Sequence, residues 1–197
     1  MSPSRAYTNR RRKPPSRDTR EQIVAAVRDL LEEGVFHETT VEEVAARAGV
    51  ARATLYQHFG SRLGLVDAMC ETFGRNPVLQ VLKRTGDLDE LFANVVEFWS
   101  AEERVLAPLY GVAGVDPAAR DLVERQRRDR YGVIRRLVGA LENESRLAGG
   151  VTSRDAFAVL AVLTSLETYL ELRRHAGLSK ADVVATLRAS AARLPRA

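Results

Sequence analysis

Residues 40–59 read TVEEVAARAGVARATLYQHF. Two short helical patterns stand back to back in this stretch, with Gly49 between them. Thr40 and Glu43 make a capping box: the threonine hydroxyl accepts from a free amide of the first turn, and the carboxylate reaches back to the threonine. A helix therefore starts just after Thr40. Val41, Val44, Ala45 and Ala48 share one face at helical spacing, and Glu42, Glu43 and Arg47 share the other. Gly49 stops the helix, because glycine takes the left-handed backbone that a sharp reversal needs. The second helix, about Arg52 to His58, keeps only Leu55 and Phe59 for a core. Arginine, threonine, tyrosine, glutamine and histidine fill its other face. So short a helix gains little from intrinsic propensity. Its polar face is better explained by a partner, and this set of side chains suits the reading of DNA.

The flanks supply the support such a reader needs. Upstream, Thr19 with Gln22 reads as another capping box, and Ile23, Val24, Val27, Leu30 and Leu31 form a helical stripe that Gly34 ends. Downstream, Ser61 can cap a fourth helix with apolar positions at Leu63, Leu65, Val66, Met69, Cys70 and Phe73, closed by Gly74 to Pro77. The single cysteine excludes an internal disulfide and reads as a buried thiol.

These residues resemble a known family. AGVARATLYQHFGSRLGL, with Thr40 to Ala48 before it, looks like the helix-turn-helix of TetR-type transcriptional regulators: the Ala-Gly-Val turn, a Thr-Leu-Tyr-x-His-Phe recognition helix, and a Ser-Lys-x-x-Leu-like opening of the next helix. It departs from the pattern at Ala51, where the family often has a hydroxyl, and at Arg62, where it often has lysine. The resemblance implies that Arg52 and Thr54 face base edges or the neighbouring sugar-phosphate. Tyr56 and His58 would hold phosphates, Gln57 would be a further base contact, Thr40 would cap its helix beside the backbone, and Arg62 would keep a basic phosphate contact. Of this set arginine is the best base reader, through paired hydrogen bonds to guanine.

Charge is spread unevenly along the 197 residues. Residues 1–17 hold six basic side chains, among them Arg10, Arg11 and Arg12, and no acid, so the net charge of +4 comes wholly from this arm. With three prolines and few hydrophobic residues the arm is expected to be disordered alone. It can be a solubilising tail. Beside a DNA reader it is expected to lie along phosphates or in a minor groove.

Beyond the boundary near residues 74–77 every segment reads helical, and no alternating strand pattern appears. Val78 to Leu82 suggests a short helix. Asp87 with Glu90 starts one through Leu88, Leu91, Phe92, Val95, Val96 and Trp99, which Ala101 to Tyr110 continues or follows, with a bend expected at Pro108. Asp116-Pro117 caps a long helix reaching about Asn143. Thr152 with Asp155 opens one to about His175, and Ser179 with Asp182 a last one to about Arg193. From Ala156 to Leu163 every residue is apolar, so that helix needs neighbours on several sides. The last helix adds a stripe at Val183, Val184, Leu187, Ala191 and Leu194, with alanines at 181, 185, 189 and 192. The alternatives are burial of both helices in the core of a single chain and, the expectation here, pairing with a symmetry mate, with Leu163, Leu166, Val184, Leu187 and Ala191 at the interface. TetR-like proteins dimerise through their last helices.

Chemistry finds little support. His37, His58 and His175 are scattered, with no partner at metal-ligand spacing. No phosphate loop follows a strand, and Gly60-Ser-Arg-Leu-Gly64 lacks serine at the centre of a nucleophile elbow. Acids sit at helix starts and on solvent faces. The chain is read as no enzyme, with no metal and no cofactor. A ligand site is read instead from the long helix, whose inward stripe Ala119, Val123, Ile134, Leu137 and Leu141 is interrupted by Gln126 or Arg127 and by Arg130. An apolar pocket with a few placed polar groups is what a small-molecule site looks like. Phe92, Trp99, Tyr110, Gln126 and Arg130 are its candidates, although for any one aromatic of the cluster Phe92, Phe98, Trp99, Tyr110 and Tyr131 an ordinary core position is the first reading. The other reading of that polar turn is projection beyond the core, or pairing with acids of the N-terminal module.

The expectation is an all-α chain: a disordered basic arm (1–17), a three-helix helix-turn-helix DNA-binding domain (18–76), and a C-terminal helical ligand-binding and dimerisation domain (77–197). At 45% hydrophobic and 28% charged, with no apolar run near the ~20 residues that span a bilayer, it reads as a cytoplasmic protein with no membrane partner. Its function would be regulation of transcription as a homodimer on a palindromic double-stranded DNA operator, most often as a repressor, with release by a partly apolar small molecule. The alternative is a nucleoid or structural DNA-binding factor without an inducer.

Overall fold

The computed structural model describes residues 17–36, 38–74, 86–192 and 194. The basic arm through residue 16, His37, the helix expected at Val78 to Leu82, and the side chains of Leu63, Val66, Cys70 and Phe73 lie outside the described residues.

All regular structure among the described residues is helical: α1 (Arg17–Glu32), α2 (Val41–Arg47), α3 (Arg52–Phe59), α4 (Arg62–Gly74), α5 (Leu88–Val112), α6 (Pro117–Asn143), α7 (Ser153–Leu163), α8 (Leu166–Leu170) running into a π-helical turn (Glu171–His175), and α9 (Lys180–Ala191). No described helix is long and apolar enough to cross a membrane. Most starts follow from their caps. Thr40, Thr152 and Ser179 close full capping boxes with Glu43, Asp155 and Asp182, Asp87 accepts from the Glu90 amide, and Asp116 accepts from the amides of Ala118 and Ala119 ahead of Pro117. Helix α1 differs: it begins at Arg17, so Thr19 stands inside the first turn rather than capping it.

Two ends shape the helix-turn-helix. At Gly34 (φ +77°) and Gly49 (φ +67°) the chain goes left-handed. The following amide then reaches back to the carbonyl five residues before it, Val35 to Leu30 and Val50 to Ala45. This glycine closure satisfies carbonyls that would otherwise be left without donors. It lets α2 stop and α3 start within four residues.

One hydrophobic core runs through the molecule, from Ile23, Leu30, Phe36, Leu55 and Phe59 to Phe92, Trp99, Leu106, Ile134, Leu160 and Tyr169. Helix α1 packs on α2, α4 and α5, α4 on α6, and α5 on α9. Helix α5 continues through Pro108 without a break. By contrast, the helix expected from Thr152 to His175 is interrupted at Thr164-Ser165, where Ser165 caps α8 by accepting from the Thr168 amide. The serine and threonine there offer the backbone a local alternative to the helical ladder.

Candidate nucleic-acid interface

Helix α3 presents the surface that its composition implied. Only Leu55 and Phe59 are buried, while Arg52, Tyr56 and Gln57 are exposed and Thr54 and His58 half-buried. His58 stands beside Phe59, ring centroids 5.8 Å apart, and its Nε2 is buried without a hydrogen-bond partner among the described residues. Thr40 is exposed but occupied by its cap: its amide donates to Glu43 Oε2 at 2.6 Å and its hydroxyl to the same oxygen at 2.8 Å. Those bonds hold the Glu43 carboxyl below its ordinary range.

The charge of this module runs against a simple basic-patch picture. Over residues 18–74 five arginines stand against ten acids, a net of −5. Each of the five meets a carboxylate. Arg20 meets Glu71 at 2.8 Å, Arg28 meets Glu102 at 2.9 Å, and Arg47 grips both oxygens of Glu33 at 2.7 and 2.8 Å. Arg52 meets Glu42 at 2.7 Å and Arg62 meets Asp116 at 3.0 Å.

Arg62 is the clearest departure from expectation. It is not a free phosphate contact. Its guanidinium lies 4.2 Å from the centre of the Phe36 ring and donates to the carbonyls of Phe36 and Thr39 as well as to Asp116 Oδ2. The planar, multi-donor head of arginine suits this task of stacking on a ring while donating to three acceptors. One side chain thus joins the loop ahead of α2, the first turn of α4 and the N-cap of α6. Arg125 of α6 also pairs with Asp67 of α4.

The interior candidates separate into two places. Trp99, Tyr110 and Arg130 converge on the gap between α7 and α8. Trp99 Nε1 donates to Thr164 O at 3.0 Å. Arg130 Nη1 donates to Thr164 Oγ1 at 3.0 Å and to Ala161 O, and Thr164 Oγ1 donates to Leu160 O at 2.7 Å. The two side chains read as ligand contacts thus serve carbonyls at and beside the broken helix, and Arg130 places a cation at the negative end of α7. The ring of Tyr110 stands edge-on to Trp99, centroids 6.5 Å apart; burial pushes its hydroxyl up to about 12, with Arg130 pulling the other way. Gln126 Oε1 is buried and without a partner among the described residues. Phe92 belongs elsewhere, in a groove of about 580 Å³ with Leu88, Leu141, Ala189, Ala192 and the Arg188–Asp89 pair. It is two turns from Trp99 along α5, which is why a shared stripe misplaced it.

The interface candidates also divide. Leu166, Leu187 and Ala191 are 1%, 2% and 1% exposed within a single chain. They belong to its own core, because α5 already packs against both α8, which carries Leu166, and α9, which carries the other two. Leu163 and Val184 are half-buried. What remains uncovered on α7 is Ala158, Val159 and Val162, the last at 63% exposed, and on α9 Ala181, Ala185 and Ala189. No group of three or more potential metal-ligating side chains occurs among the described residues.

Residues 23–69 match the family model described as bacterial regulatory proteins, tetR family. The HTH-type transcriptional activator FasR of Mycolicibacterium smegmatis is 34% identical over 86 residues, covering 42% of this chain and 39% of its own. The chain thus spans about two fifths of the length of that curated relative. Among solved structures, NalD of Pseudomonas aeruginosa, the secondary repressor of the MexAB-OprM multidrug efflux pump, is 26% identical, with TM-score 0.69, covering 91% of this chain and 96% of that one. SmeT, the repressor of the Stenotrophomonas maltophilia efflux pump SmeDEF, shares the fold at 22% identity and TM-score 0.68, over 91% and 93% of the two chains. Residues 23–69 thus carry the sequence pattern of the tetR-family model, and the described helices share the fold of NalD and SmeT.

Proposed function

We propose that the chain is a ligand-responsive repressor, acting in the cytoplasm and catalysing no reaction, that holds a palindromic operator as a homodimer and is released by a small molecule. The observation that carries this reading is the Arg62–Asp116 contact, which fastens the recognition module to the N-cap of the long helix α6. A displacement of α6 is thereby handed to α4 and to the loop before α2. The repressor sign rests on NalD, a repressor by its description.

Dimerisation is assigned to the uncovered apolar faces of α7 and α9, with Val159, Val162, Ala158 and Ala185 as the contact residues and Leu163 and Val184 at their margin. Two recognition helices must meet half-sites about one helical turn apart, ~34 Å, which only a fixed pair can do. The effector site is assigned to the interior face of α6 at Gln126, whose buried amide oxygen has no partner among the described residues and would be satisfied by a ligand donor. A ligand that frees the operator must bind the released shape more tightly than the DNA-bound one, and operator DNA must weaken ligand binding by the same factor.

The test is selection of bound fragments from the host genome followed by footprinting. A short, symmetric protected site supports the reading, and the neighbouring genes direct the search for the effector. Diffuse coating without a defined site would instead support a structural DNA-binding factor.

A further inference from the structure

Arg52 opens α3 and Glu42 stands in the first turn of α2, so the two face each other across the turn of the motif. Their Nη1 and Oε1 atoms are 2.7 Å apart, with the side chains 62% and 50% exposed. The same guanidinium lies 5.3 Å from the centre of the Tyr56 ring, one turn further along α3. A pair this exposed adds next to nothing to folding. An acid on a surface that approaches phosphates also opposes binding to every sequence. Neither property explains why a carboxylate should hold this arginine.

Resting on the reading of α3 as the base-reading helix, we propose that Glu42 is a specificity-determining positioning residue, which with Tyr56 holds the Arg52 fork toward a guanine and away from the phosphates. A free arginine at the start of α3 would serve any phosphate within reach, and such a contact carries no sequence information. The carboxylate occupies Nη1, so that the guanine-facing edge of the five-donor fork is the Nε–Nη2 one, whose two parallel N–H groups match guanine N7 and O6. Tyr56 limits the swing of the planar head from the other side. The long arginine side chain is thus ordered before DNA arrives, and less freedom is lost on the correct base. Glu42 also lies where an acid suits the positive end of α2, a role that would not involve Arg52.

The experiment compares the wild type, Glu42→Gln, Arg52→Ala and the double variant on randomised operator duplexes, with affinities measured at several salt concentrations and melting temperatures recorded. The wild type is expected to prefer guanine at one position per half-site by about tenfold or more. In Glu42→Gln that preference falls to within about threefold, while binding to unrelated sequence tightens and its log-log salt slope steepens by about one phosphate's worth per half-site, ~0.9. Melting falls by no more than the loss of one charge at a helix N-terminus explains, and by the same amount in the Arg52→Ala background. Arg52→Ala abolishes the preference, and adding Glu42→Gln to it changes nothing at that base pair. A guanine preference of wild-type size in Glu42→Gln would overturn the proposal, as would an equal shift at that position in the Arg52→Ala background. If Arg52→Ala alone keeps the preference, Arg52 reads no base and the underlying reading fails first.

Discussion

Arg62 Nη2 lies 3.0 Å from Asp116 Oδ2, although 54 positions separate the two in sequence. The other oxygen of that carboxylate caps α6 by accepting from Ala118 at 2.8 Å and Ala119 at 3.0 Å. Asp116 therefore does two tasks at once, and Arg62 adds the carbonyls of Phe36 and Thr39 to the joint. Asp116→Ala is expected to destabilise the chain by about 2 kcal/mol or more, combining a lost cap with a stranded, partly buried guanidinium. Asp116→Asn, which can still cap, should lose roughly half as much. Urea unfolding checks both, and two neutral substitutions would mean that the joint carries no load.

Gly64 tests the seating of the recognition helix. It stands in the first turn of α4, and a Cβ there would run into the carbonyl oxygen of Phe59, the last residue of α3. Backbone cannot move aside as a side-chain tip can. Gly64→Ala should push α3 away from α4, costing about 1–3 kcal/mol as an overpacked site does and weakening operator binding beyond what the stability loss explains. Unchanged melting and operator affinity in this variant would show that α4 accommodates the methyl group.

The local rules carried the helix ends well. Thr40, Asp87, Asp116, Thr152 and Ser179 each cap where a hydroxyl or carboxylate precedes an apolar period, since capping is a matter of three or four adjacent residues. What escaped was set by tertiary partners. Arg62 resembled a phosphate contact because nothing near it in sequence announces Asp116 or the Phe36 ring. The polar turn of α6 looked like a ligand contact, yet Arg130 serves the Ala161 carbonyl and the Thr164 hydroxyl at a helix break more than 30 residues away. Leu166, Leu187 and Ala191 share stripes with Leu163 and Val184, but periodicity gives a buried face and not the identity of what buries it.

Alkaline stability should depend on Tyr110. Burial raises its hydroxyl from near 10 to about 12. Below about pH 10 the phenol is neutral in both folded and unfolded chains, so its contribution to stability is fully present. As pH rises toward 12 the unfolded chain ionises first, and stability is lost across that window, on the order of 2 kcal/mol in all. Tyr110→Phe should flatten the fall of melting temperature between pH 10 and 12 relative to wild type. Parallel curves for the two proteins would remove Tyr110 as the cause.

The two apolar faces give opposite outcomes to one kind of substitution. Val162→Arg places a charge on the uncovered side of α7, 63% exposed in the single chain, so the fold should survive while the dimer and operator binding are lost. Leu187→Arg places it in the core against α5, where an unpaired charge unfolds rather than dissociates. Sedimentation with circular dichroism separates these results; a folded Val162→Arg dimer would move the interface elsewhere.

The final prediction concerns the origin of affinity for DNA. With a net −5 over residues 18–74 and each of its five arginines meeting a carboxylate, the helix-turn-helix module brings little free positive charge to a phosphate backbone. The first 13 residues carry five of the six cations of the arm. Each phosphate neutralised contributes ~0.9 to the log-log salt slope and its share of sequence-independent affinity. Removing residues 1–13 should therefore weaken binding to operator and unrelated DNA by nearly the same factor and flatten the slope by several units per dimer, while the bases selected stay the same. Glu33→Gln supplies the converse, since releasing Arg47 from its two-pronged grip adds one free cation beside α2 and should partly restore binding to all sequences in the truncated protein. An unchanged salt slope after truncation would mean that the paired arginines open on DNA and that the ion pairs, not the arm, are the reserve of charge.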